Sequence, residues 1–179
     1  AVFTETVNTY TVTWKNWDGA VLRTDTNVPY GTMPVFNGAE PTKPATDEYN
    51  FAFNGWTPVV SEVTGDAIYT AVFISTVREY AITFVNEDGT VLQSGNVAYG
   101  TIPNYTGVTP TKAATAQYTY TFTGWTPEIA MVTGDATYTA QFSQTVNSYT
   151  ITWIIDGTAE TETYQYGATP SHTDHEKEA

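Results

Sequence analysis

The chain has 179 residues, long enough for one large domain or two to three small ones. Six Lys and Arg against nineteen Asp and Glu leave a formal net charge of −13, which argues against nucleic acid and anionic lipid, since both need a positive footprint. Cysteine is absent, which excludes disulfides, thiolate nucleophiles and Cys-based metal sites, and no apolar run approaches the roughly 18 residues of a membrane helix.

The opening residues Ala1–Phe3 match Ala71–Phe73 and Ala140–Phe142, so residues 1–9 read as the end of a preceding repeat and a linker. This stretch has neither a basic region nor an apolar one, and any export signal is expected outside it. Tyr10, Val12 and Trp14 then alternate with Thr11, Thr13 and Lys15, the pattern of a half-buried strand with Thr on its wet face. Asp18-Gly19 follows directly and predicts a type I′ hairpin turn, with strands one and two antiparallel. Beyond Tyr30-Gly31 and Pro34 comes "PTKPATDEY", which predicts one or two helical turns or a loop, with Thr42 as candidate N-cap. The third strand carries Phe51 and Phe53 and runs into Gly-Trp-Thr-Pro. "VTGDA" then places Asp66 in a turn, and Tyr69, Ala71 and Phe73 alternate along the fourth strand.

The whole series recurs. "YTVTWKNWDG" (Tyr10–Gly19), "YAITFVNEDG" (Tyr80–Gly89) and "YTITWIIDG" (Tyr149–Gly157) open three units. Thr111 stands where Thr42 does, and Tyr118, Tyr120 and Phe122 alternate with Thr119, Thr121 and Thr123. Asp135 repeats Asp66, and Tyr166-Gly167 with Pro170 repeats Tyr30-Gly31 with Pro34. The expected organisation is module 1 over residues 10–79, module 2 over 80–148 and an incomplete module 3 over 149–179. Thr makes up roughly a fifth of the chain, and with its many aromatic residues the composition fits pleated, half-buried surfaces.

Taken together, Tyr-x-Val/Ile-Thr-Trp/Phe, Asp-Gly-x-Val-Leu, Tyr-Gly, Pro-Thr-Lys, Gly-Trp-x-Pro and Val-Thr-Gly-Asp-Ala resemble the Listeria–Bacteroides repeat, the B-repeat of listerial internalins. The resemblance covers both complete units and the opening half of the third. It implies β-grasp-like modules strung along a secreted or cell-wall-attached bacterial protein, hence an extracellular, non-catalytic stalk or adhesin segment. The expected fold is mostly β with at most short helical turns, in modules arranged head to tail as an elongated rod. In a β-grasp unit the first and last strands lie side by side and parallel, and only six residues separate Phe73 from Tyr80 and Phe142 from Tyr149.

No catalytic, cofactor or metal site is read from the residues. His172 and His175 with Asp174 and Glu176 have ligand chemistry, but a polar tail accounts for them. Asn16 and Asp18, like Asn86, Glu87 and Asp88, offer two or three oxygens per turn where calcium needs six to eight. Lys43 and Lys112 recur at matched positions and raise an isopeptide crosslink, against which a solvated Lys near a turn is the preferred reading. Trp14, Trp56, Trp125 and Trp153 are read as core. Trp17, at a hairpin tip, does not recur and is the candidate surface contact to a ligand or a neighbouring repeat. The partners expected are a host or microbial glycan or surface protein and the neighbouring repeats. Carbohydrate binding, as a module attached to a surface enzyme or adhesin, is the alternative function.

Overall fold

Val12 and Trp14 point to one face of the first strand, and everything in the first unit is arranged to cover them. The structure, a computed structural model, describes residues 1–172. Four strands, β1 (Thr9–Lys15), β2 (Val21–Pro29), β3 (Tyr49–Thr57) and β4 (Ala67–Val77), form a sheet in the order β2-β1-β4-β3. The outer pairs β1/β2 and β3/β4 are antiparallel, and the central pair β1/β4 is parallel, with Val12 opposite Ala67 and Trp14 opposite Tyr69.

The second unit repeats this construction. β5 (Glu79–Val85), β6 (Val91–Ala98), β7 (Tyr118–Thr126) and β8 (Ala136–Val146) lie in the order β6-β5-β8-β7. Here too the central pair is parallel, with Ile82 opposite Ala136 and Phe84 opposite Tyr138. β9 (Ser148–Ile155) and β10 (Thr158–Gln165) form a separate two-stranded antiparallel sheet. The all-β expectation and the parallel pairing of first and last strands therefore hold in both four-stranded sheets.

Each core is small and aromatic. Val12, Trp14, Val63 and Tyr69 form the first, and Ile82, Phe84, Val132 and Tyr138 the second. Phe36, Val60 and Val63 come from the loops that follow β2 and β3, so loops rather than a helix cover the inner face of the sheet. Burying each aromatic ring removes roughly 150–250 Å² from water, which lets so few side chains hold a sheet of this size.

Two expectations need correction, and one alternative is decided: the stretches between β2 and β3 and between β6 and β7 form loops and no helical turn. Pro34, Pro41 and Pro44 deny that stretch backbone donors, and the carbonyl of Thr42 is committed elsewhere, to Asn16 Nδ2. The turns at Asp18-Gly19 and Asp88-Gly89 are not type I′. Only the glycine has positive φ, 87° and 84°, and the Gly19 and Gly89 amides donate to Asn16 O and Asn86 O at 2.9 Å each. This is a type I turn closed by a left-handed glycine. "YTITWIIDG" is one residue shorter, and there both Asp156 (φ 48°) and Gly157 (φ 84°) are left-handed, giving the expected two-residue turn. Finally, the fourth strands do not stop at Phe73 and Phe142. They run to Val77 and Val146, paired with Tyr49 and Tyr118, so one residue rather than six separates them from the next strand.

Candidate functional site

The residues that recur between units converge at the end of the sheet where the β1–β2 turn meets the Pro-Thr-Lys loop. Asn16 Nδ2 donates to Thr42 O at 3.1 Å, and Asn86 Nδ2 to Thr111 O at 3.0 Å, so the same amide pins the same loop in both units. That contact holds Lys43 and Lys112 above the sheet. Lys43 Nζ lies 4.0 Å from the Phe51 ring centroid and 4.9 Å from that of Trp17. Lys112 Nζ lies 4.3 Å from the Tyr120 ring and 2.7 Å from Glu87 Oε2. One ammonium is thus shared between two rings, and its counterpart between a ring and a carboxylate, because Trp17 and Glu87 occupy the same turn position. Trp17 remains 45% exposed beside its lysine.

The acidic turn residues are engaged locally. Asp18 Oδ1 accepts from the Ala20 amide at 3.0 Å and Asp88 Oδ1 from the Thr90 amide at 2.9 Å. That backbone hydrogen bond, assisted by the Thr90 hydroxyl, holds the Asp88 carboxyl below the usual aspartate value. Asp66 and Asp135 do more than shape a turn. Their Oδ1 atoms accept the Thr11 and Ala81 amides, each at 2.8 Å, and so tie the start of β4 to β1 and of β8 to β5.

Trp14 is 1% exposed, as a core residue should be, and Trp56 and Trp125 are half-buried against Trp14 and Phe84 at 4.7 and 4.8 Å between ring centroids. Over Trp14, Phe36, Phe53 and Trp56 lies an open depression of about 430 Å³ with Glu40 and Pro41 among its walls. Trp153 is half-buried. His172 lies 5.2 Å from its ring centroid and places Nε2 3.1 Å from Glu160. His175, Asp174 and Glu176 lie outside the described residues. Among the described residues no three His, Asp or Glu side chains are grouped as metal ligands would be.

Two relationships escaped the sequence reading. Trp14 Nε1 donates to Asp25 Oδ2 at 2.9 Å, and Asp25 also pairs with Arg23. Periodicity marks Asp25 only as a polar strand residue; the signal lay in the second unit, where Phe84 has no indole N–H and Gly95 replaces the aspartate. The second is the Phe36-Asn37-Gly38 corner, repeated as Tyr105-Thr106-Gly107, whose ring folds back over the glycine.

No family model matches the chain, and no curated protein matches it. Among solved structures it is similar to domains 3-4 of the Streptococcal High Identity Repeats in Tandem (SHIRT) from a cell surface protein. The identity is 16% and the TM-score 0.39, over 77% of this chain and 99% of that one.

Proposed function

We propose that the chain is a non-catalytic repeat region of a bacterial surface protein, secreted or attached to the cell wall, acting as a spacer or an adhesive surface. The observation that carries this reading is the repetition itself. The two four-stranded sheets share strand order, register, core positions, the Asn pin and the Asp tie, while surface positions such as Trp17 and Glu87 differ. A scaffold repeated under a changing surface suits a spacer or adhesive array, whereas a single reaction needs one site. The resemblance to the internalin B-repeat supports the same reading and suggests the extracellular setting. Small-angle scattering tests the spacer role. The radius of gyration is expected well above the roughly 16 Å of one globule of this length, and a value near 16 Å would defeat the spacer.

One observation favours a second reading, carbohydrate binding. The aromatic depression over Phe36 and Trp56 has the size of a small-ligand pocket, and Trp17 offers a further exposed ring. Titration with host and microbial glycans tests it. Binding that survives both Phe36→Ala and Trp17→Ala would place any glycan site elsewhere.

A further inference from the structure

The aromatic side chains of β3 form a row along one face. Tyr49, Phe51 and Phe53 alternate with exposed Asn50, Ala52 and Asn54, and Trp56 follows beyond a register shift. A cation already sits on this row, since Lys43 Nζ lies 4.0 Å from the Phe51 ring centroid. Two residues further along the strand, the row enters the depression over Phe36, Phe53 and Trp56. There the rings nest at an angle, Phe36 to Trp56 at 4.9 Å and 58°, and Phe53 to Trp56 at 5.4 Å and 70°. All three are half-buried, so part of each ring stays open. Among the described residues that line the depression, Glu40 carries the only charge, and it is exposed. The corner that carries Phe36 is held: Arg23 Nη1 donates to Asn37 O at 3.2 Å, and the ring folds back over Gly38. The charge of Arg23 is met by Asp25. The second unit keeps the rings and loses the carboxylate. Tyr105 and Phe122 stand 4.9 and 5.4 Å from Trp125, while Thr109 takes the place of Glu40.

We propose that the depression of the first unit is a binding site for a small quaternary ammonium ligand of the choline type. Aromatic faces attract a cation within about 6 Å of their centroids through the ring quadrupole. A trimethylammonium head suits such a wall, because its methyl groups carry the charge on an apolar surface and need no hydrogen-bond acceptor. Glu40 supplies the opposite charge at the rim. The net charge of −13 draws cations to the whole surface, and the rings give this one place its selectivity. A sugar, by contrast, presents hydroxyls all round and needs several placed donors and acceptors. The lining side chains are mostly apolar, and the Trp14 indole N–H is taken by Asp25. The proposal goes beyond the spacer reading and sets a cation against a neutral glycan as the occupant of the depression.

The probe is choline chloride, titrated into the full chain at constant ionic strength while the indole N–H resonances are followed. Its control is the neutral carbon isostere, in which a tert-butyl group replaces the trimethylammonium head. The Trp56 resonance is expected to shift saturably, with choline binding about tenfold more tightly than the isostere. Trp125, in the unit without the carboxylate, is expected to respond about fivefold more weakly. Glu40→Gln, at an exposed position, should keep the melting temperature and weaken choline by a similar factor. Equal affinity for choline and its isostere overturns the proposal, as does an equal response at Trp56 and Trp125. So does unaltered choline binding in Glu40→Gln. A Trp56 shift with glycans and none with choline overturns it and leaves the glycan reading standing. A trimethyllysine peptide that binds more tightly than choline would make a protein tail the occupant, and overturns it too. None of these outcomes bears on the radius of gyration that tests the spacer.

Discussion

Asp66 Oδ1 accepts the amide hydrogen of Thr11 at 2.8 Å across 55 residues of sequence, and Asp135 does the same for Ala81 across 54. The bond joins the N-terminal strand of each sheet to the approach to its last strand, beside the parallel pairing that closes the sheet. Removing the carboxylate leaves that amide to water. Asp66→Ala and Asp135→Ala should each destabilise their own unit by about 1 kcal/mol, and Asn, which keeps an acceptor oxygen, by less. Thermal melts of the four variants check this; Ala and Asn variants melting together would deny the bond any role.

Trp14 and Asp25 in the first unit stand where Phe84 and Gly95 stand in the second, and the indole hydrogen bond explains the pairing of the changes. Trp14→Phe should leave Asp25 with only Arg23 as partner, and Asp25→Ala should orphan the indole. A double-mutant cycle is expected to show coupling on the order of 1 kcal/mol, because the pair shares one buried donor. Additive single effects would count against it. Trp14→Ala is a different matter: it empties the centre of the first core and should cost about 3–5 kcal/mol.

A Cβ on Gly38 would overlap the Phe36 ring, and one on Gly107 the Tyr105 ring. Gly38→Ala should therefore destabilise by roughly 1–3 kcal/mol, the range for overpacking. In a Phe36→Ala background the same change should cost almost nothing. Equal costs in both backgrounds would point to the backbone rather than the ring.

Asp88 supplies a pH dependence with a definite sign. Its carboxyl is held below the usual value by the Thr90 amide, so the contribution is present above the ordinary aspartate range. It is lost as pH falls through the lowered folded value. The difference in melting temperature between the wild type and Asp88→Asn should be constant near neutrality and shrink under acid. A difference that persists unchanged below pH 3 would remove the carboxylate from the account.

The strands were legible because burial on one face of a sheet imposes a period of two, and Tyr10, Val12 and Trp14 state it plainly. The core position of Trp14 followed from the same pattern, whereas the parallel central pairing was implied by the resemblance to β-grasp-like repeats and not by periodicity. The turn at Asp156-Gly157 was read correctly, while those at Asp18-Gly19 and Asp88-Gly89 were not. The dipeptide is shared, and one additional residue before it moves the closing hydrogen bond and leaves the aspartate right-handed. The covering stretches left helical turn and loop open, because Lys, Ala, Gln and Glu favour helix locally. Their anchors are tertiary: Asn16 reaching Thr42, Phe36 reaching Trp14 and Trp56. Lys43 over Trp17 and Phe51 was beyond periodicity for the same reason, since it joins a turn, a loop and a strand distant in sequence.

The parallel pairing of β1 with β4 also decides how each unit meets a pulling force. A load applied through the chain enters at the start of β1 and leaves at the end of β4, drawing two neighbouring parallel strands in opposite directions along their length. The contacts from Val12–Lys15 to Ala67–Thr70, with the Asp66 tie beside them, are then strained together rather than parted one after another. β5 and β8, with Asp135, are loaded in the same way. Tension on the chain thus falls on its central hydrogen bonds all at once, and a unit yields only when that whole set fails.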